Sequence, residues 1–256
     1  MPVGEPLSPI EFDFLWESCG AGEVPYPLEL HSHGETVDER ASLRRQTMAA
    51  LAERGVVDAQ GKPGRRLVDQ FGVLAAAEFS VDSVHVNETD TKAVLAVAAA
   101  MDGIGLLAVQ DGDGLWLNDV PSDGLVSSIV GLLPAAPRGK ERSITVPVDQ
   151  LMAGPGADFM QRKDGTGSDE ERKALARLHA QPRLRGGQIA ANVRSVLGGR
   201  SRSPVLSWFD TESGRYFTRA STGTDGRMWI TIAPADAAAL RQRVTEMLTW
   251  ARREVA

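Results

Sequence analysis

Arginines set among glycines are the residues of this 256-residue chain best equipped for chemistry. Gly198-Gly199-Arg200-Ser201-Arg202-Ser203 combines two glycines, two guanidinium groups and two hydroxyls, the ingredients of an anion cradle, and Arg215 lies a short way downstream. A small-molecule enzyme or binder for an anionic ligand would use Arg200, Arg202 and Arg215 around these loops. A phosphate loop, however, needs G-x-x-x-x-G-K-[ST] opening a helix, so that backbone N–H groups converge on the ligand. That spacing is absent, and the glycines follow a strand pattern. The plainer expectations are a hairpin connection at 198–203 and a strand start at Arg185-Gly186-Gly187.

The other candidate chemistries are weaker. His31 and His33 form the only close histidine pair, and an H-x-H on a loop without a third ligand does not make a metal site. His85 falls in an expected strand and His179 in a basic stretch. The single cysteine, Cys19, cannot form an internal disulfide, and Glu17 and Glu23 beside it disfavour a thiolate. No G-x-S-x-G elbow presents a nucleophilic serine. The expectation is a protein that is not an enzyme, with no catalytic residue, metal or cofactor.

Bulk properties narrow the class. The net charge is −6, yet residues 172–202 hold eight Arg or Lys and no Asp or Glu, so the remainder carries −14. The basic segment lacks interleaved aromatics and the whole chain repels phosphate, which argues against nucleic acid. The apolar runs stay near ten residues, too short to span a bilayer. The acidic N-terminus does not read as a secretory signal. No membrane insertion and a cytoplasmic location are expected.

The elements that must position these residues follow from periodicity. Ser8–Glu17 suits a strand or a short buried helix. Thr36–Arg54 reads as a helix with a capping box at Thr36 and Glu39, and Pro63-Gly64 opens a second. Four strands follow, over 81–87, 92–101, 104–110 and 115–120, separated by Asn/Asp/Gly turns. A helix launched by Pro121 is expected over 122–133. The second half repeats the order: a helix from about Asp169 begun by Ser168, strands over 188–196, 205–210, 215–220 and 228–232, and a last helix opened by Pro234. Within it Leu240, Val244, Met247 and Ala251 fall on one stripe.

Two stretches match closely. DGLWLNDVPSD (113–123) and DGRMWITIAPAD (225–236) each run from an Asp-Gly turn through a strand with a tryptophan to Pro, a small residue and Asp. This suggests two copies of one helix, four-strand meander, helix unit, about 64–133 and 168–253, in a single domain over 1–256. A Gly-rich linker would occupy about 154–168. The fold class expected is α+β: a central antiparallel sheet of two quasi-twofold-related halves with helices packed on it, including a C-terminal helical bundle.

The order G-G-Q-I-A-A (186–191), G-G-R-S-R-S (198–203) and S-W-F-D-T-x-x-G-R-Y-F (207–217), with G-x-T-x-x-E-R (34–40) before A-E-R-G-V-V-D-A-Q-G (52–61), resembles the EspG family of ESX (type VII) secretion-associated proteins. The resemblance implies a cytosolic chaperone that binds PE–PPE heterodimers at the tip of the PPE subunit and keeps them soluble for secretion. It also implies contact through the sheet face, the first hairpin of the meander and the C-terminal helix. By position, these give Asn87, Glu88, Asp90, Glu212, Trp229 and Thr231 as partner-binding residues. Acidic loop residues would select among related partners and apolar anchors would supply affinity. Self-association through an uncovered sheet or helix face is left open.

Overall fold

The computed structural model describes residues 5–88, 91–148, 169–224 and 226–255. The expected linker at 154–168, Asp90, and Ser168 as a helix start lie outside them.

The described residues form six helices and ten strands. The first segment is helical: α1 (Pro9–Cys19) starts on Ser8, whose hydroxyl takes the Glu11 N–H while the Glu11 carboxylate takes the Ser8 N–H. Helix α2 (Val37–Glu53) is capped by Thr36, but Glu39 reaches back to the N–H of Glu35 rather than to that of Thr36. Helix α3 (Arg65–Ala76) leads into a meander of β1 (Phe79–Val86), β2 (Val94–Met101), β3 (Ile104–Gln110) and β4 (Leu115–Pro121). Helix α4 (Leu125–Leu132), the short strand β5 (Ile144–Pro147) and helix α5 (Asp169–His179) follow. The second series is β6 (Arg185–Arg194), β7 (Arg200–Arg202), β8 (Leu206–Thr211), β9 (Gly214–Thr222) and β10 (Met228–Pro234), closed by α6 (Ala237–Arg253).

Two of the prolines expected to open helices, Pro121 and Pro234, instead end strands. Pro121 still pairs with Ile104, and because β4 is an edge strand its missing N–H leaves no ladder bond unmade. Pro234 closes β10 opposite Tyr216, and α6 begins after Asp236, whose carboxylate accepts the Ala239 N–H at 2.8 Å. Gly198-Gly199 does belong to a hairpin turn, and the residues after it, Arg200–Arg202, form β7 on β6.

The sheet order is β4-β3-β2-β1-β6-β8-β9-β10-β5, with β7 also on β6. Neighbours pair antiparallel throughout, so each series runs outward from a central β1/β6 pair. Strand β2, VLAVAAAM, explains the layering. Its alanines Ala96, Ala98 and Ala100 join the core under α4 and α6, while Val97 and Ala99 join the core under α1, α2 and α3. A continuous run of small apolar residues lets helices close on both faces. On the outer part of the second series, Leu175 and Leu178 of α5 pack on Phe209, Tyr216 and Ile232. Helix α6 lies beside α4 and across β6.

Candidate partner-binding surface

Helix α6 presents two stripes. Leu240, Val244 and Ala251 are buried in the core, whereas Arg243, Glu246, Met247 and Trp250, at i, i+3, i+4 and i+7, line a groove beside it. The other wall comes from Pro204–Leu206 before and in β8, Arg219–Thr222 at the end of β9, and Met228 at the start of β10, enclosing about 610 Å³. Val205, Met228 and Trp250 are 39%, 48% and 42% exposed. The rim is charged. Arg243 donates to Glu246 at 2.7 Å, which holds that carboxyl below its usual range, and the Arg243 guanidinium also sits 5.7 Å from the Phe217 ring.

The β6–β7 turn projects from the same end of the sheet. Gly198, at φ 85°, donates its N–H to the Ser195 carbonyl, and the tight turn pushes Val196 and Leu197 into solvent, 99% and 95% exposed. Large exposed apolar side chains therefore concentrate here, where scattered single ones are the norm.

The opposite end of the sheet holds buried charge. Asp210 and Arg215 are each 2% exposed. Arg215 donates Nε to Oδ1 and Nη2 to Oδ2 at 2.7 and 2.9 Å, and Arg185 adds Nε to Oδ2 at 2.6 Å. The outer guanidinium nitrogens donate to the carbonyls of Pro134 and Ala135 after α4. The Arg215 guanidinium lies 4.5 Å from the Trp208 ring, which adjoins buried His85. Burial, reinforced by Arg215, pushes the His85 pKa down to about 4. Gly187 separates the two rings: a Cβ there would meet His85 Cβ at 2.4 Å. Arg215 is thus committed to the core and is not available to an anionic ligand beside Arg200 and Arg202.

Among the described residues no three His, Cys, Asp or Glu side chains come together as a metal-ion cluster. His33 belongs to a clamp between α1 and α2. Its Nδ1 lies 3.2 Å from buried Asp13, which also accepts 2.8 and 3.0 Å bonds from Arg40. Burial would raise the Asp13 pKa, but the Arg40 and His33 bonds hold it low. Burial raises the pKa of the Cys19 thiol, which disfavours the thiolate. No helix among the described residues is long and apolar enough to cross a membrane.

The expected contact residues divide between the two ends. Trp229 follows Met228 into β10 and is half-buried, and Thr231 shares a 3.0 Å hydroxyl contact with Thr145 on β5. These lie toward the groove. Asn87 and Glu88 follow β1, and exposed Glu212 tips the β8–β9 turn, so these three lie at the Asp210 end. Asn87 turns a buried Oδ1 inward. Periodicity alone brought Met247 of the groove to notice, and only as a core residue. The second α6 stripe, and two consecutive apolar residues just before Gly198-Gly199, were the signals that mark the rest.

Comparison with known proteins places the chain. Residues 8–246 match the family model described as the EspG family. No curated protein sequence matches significantly. Among solved structures, the fold is similar to the Mycobacterium tuberculosis type VII secretion system chaperone EspG5 in complex with a PE25–PPE41 dimer. The TM-score is 0.64 over 93% of this chain and 92% of that one, at 17% identity.

Proposed function

The chain belongs to the EspG family, and from that premise we propose that it is a cytoplasmic type VII secretion chaperone that binds PE–PPE heterodimers through the PPE subunit. The structurally similar EspG5 was solved with a PE–PPE dimer bound. The observation that carries the reading here is the groove between α6 and β8–β10, lined by the apolar Val205, Met228, Met247 and Trp250 together with the charged Arg219, Arg243 and Glu246. Apolar and charged side chains together suit a helical tip: the apolar ones give affinity and the charged ones fix register. Trp229 and Thr231, on the same strand as Met228, are the expected contacts nearest to this groove. A role without catalysis agrees with the state of the reactive groups, since the buried carboxylates Asp13, Asp82 and Asp210 are each tied up in ion pairs.

Co-expression with the PE–PPE pairs of the same genome tests the proposal. A complex holding one copy of each chain should co-elute for at least one pair. Failure of every pair to co-elute overturns it.

A further inference from the structure

A second cleft opens on the sheet face away from α6. Alternation along the strands puts Val81 and Ile189 under the helices α4 and α6 and turns Ser80, Asp82, Asn192 and Arg194 the other way. Register then sets Arg202 opposite Asn192 and Arg200 opposite Arg194. With Ala21–Tyr26 of the α1–α2 connection, where exposed Glu23 is the one carboxylate of the lining, and the end of α3, Ser80, Asn192, Arg194, Arg200 and Arg202 enclose about 600 Å³, the size of a small-molecule site.

The one buried carboxylate in reach is already used. Asp82 accepts from Arg202 at 2.5 and 2.9 Å and from Asn192 at 2.7 Å, and the Arg202 guanidinium rests 5.1 Å from the Tyr26 ring. This pins Arg202 as a wall. Arg194 donates only to the Ala75 carbonyl, at 3.4 Å, and Arg200 is exposed; neither has a carboxylate partner among the described residues. Two guanidiniums directly opposite on antiparallel strands repel one another. An arginine fork matches the oxygens of a carboxylate or phosphate in two-point geometry, so the pair is suited to an anion that bridges them. Ser80 and Ser201 add hydroxyls to the same cleft.

We propose that this cleft binds a small oxyanion carrying two or more carboxylate or phosphate groups, held between Arg194 and Arg200 with Arg202 as a fixed flank. The site is separate from the α6 groove, and it stands or falls independently of the chaperone reading.

Thermal unfolding of the full chain at low, matched ionic strength tests it, with pyrophosphate and citrate against chloride. A ligand that binds only the folded state raises Tm with its concentration until the site fills. The expected result is a saturable rise of several degrees with at least one anion and at least a tenfold weaker response in Arg200→Gln, with Arg65→Gln, far along the surface on α3, unaffected. Pyrophosphate alone acting would assign the phosphate class, and citrate alone the carboxylate class. Because Arg200 is exposed, Arg200→Gln should fold, and without anion its Tm should equal or exceed that of the parent as repulsion is relieved. Equal anion responses in parent and variant, a response to ionic strength alone, or a variant less stable without anion would each overturn the site.

Discussion

The two ends of the central sheet invert the usual rule for where polar and apolar groups belong. At one end Asp210 and Arg215 lie inside the protein at 2% exposure; at the other Val196, Leu197, Val205, Met228 and Trp250 lie outside it. Buried charge and clustered exposed hydrophobics are the two departures that carry information, and here they carry different kinds. At the buried end the ion pair is closed on itself. Both Asp210 oxygens, both arginines and the carbonyls of Pro134 and Ala135 are paired with one another, so these charges are committed within the chain. The groove end leaves its apolar side chains exposed, which is why we propose it as the partner surface. One end fixes the chain between α4 and β5 onto the sheet, and the other carries the groove proposed for a partner.

The largest effect should come from breaking the closed end. Arg215→Met leaves Asp210 buried beside only Arg185, and removing one member of a buried pair costs about 3–5 kcal/mol. Denaturant unfolding should show that loss, whereas Asp210→Leu combined with Arg215→Met should recover much of it, since no buried charge is left alone. Equal losses in the single and double variants would mean that the pair stabilises by packing alone.

Acid should attack the same end next. Free histidine protonates near 6.5, but His85 in the fold does so at about 4 because burial, then Arg215, penalises its charged form. Between these values the unfolded chain binds more protons than the folded one, so stability is full above about 6.5 and declines as pH falls toward 4. At about 1.4 kcal/mol per pH unit the whole decline is about 3 kcal/mol. His85→Leu should flatten the slope of unfolding free energy between pH 7 and 5; an unchanged slope would place the proton uptake elsewhere.

How these two ends were legible in the sequence differs for a physical reason. Strands β1 to β4 and β8 to β10 were readable from alternation and from Asn/Asp/Gly turns, because turn chemistry is local. Strand β5 was not, since ITVP is four residues and becomes a strand only by pairing with β10. The proline boundaries misled for a similar reason. Pro121 and Pro234 suit a helix start, but both keep a strand partner first. The ion pair between Asp210 and Arg215 was hidden by its own hairpin: S-W-F-D-T-E-S-G-R-Y-F reads as a charged turn, and only the packing of residues 134–138 onto β9 shows that its charges face inward. We interpret the two outward-running series, about 64–133 and 168–253, as copies of one unit, which the mirrored strand order supports. On the surface, acidity at turns drew attention to Glu88 and Glu212, while the groove took its residues from four separated segments that only the fold assembles.

At the groove end, effects should appear in binding rather than stability. Trp250 is 42% exposed and heads the stripe that faces β8–β10, so Trp250→Ala should weaken PE–PPE binding at least tenfold, as a central aromatic anchor does. Its unfolding midpoint should move far less than that of Arg215→Met. Charge reversal at Glu88 and Glu212, at the closed end, should leave affinity unchanged; a comparable loss there would move the interface to the wrong end of the sheet for this reading. Calorimetric titration of the purified variants separates these outcomes.

The smallest expected effect sharpens the contrast most. Val196 and Leu197 give up almost no surface on folding, 99% and 95% of it remaining exposed, so replacing both by serine should change unfolding free energy by no more than about 0.5 kcal/mol. The turn itself rests on Gly198 and on backbone bonds between Ser195 and Gly198-Gly199, which the substitutions leave in place. Any cost should therefore appear only when a partner would have covered these side chains, as an affinity loss smaller than that of Trp250→Ala, because the turn flanks the groove without lining it. A fall of several degrees in Tm would show instead that the tip packs within the native chain, and the two ends of the sheet would then no longer be opposites.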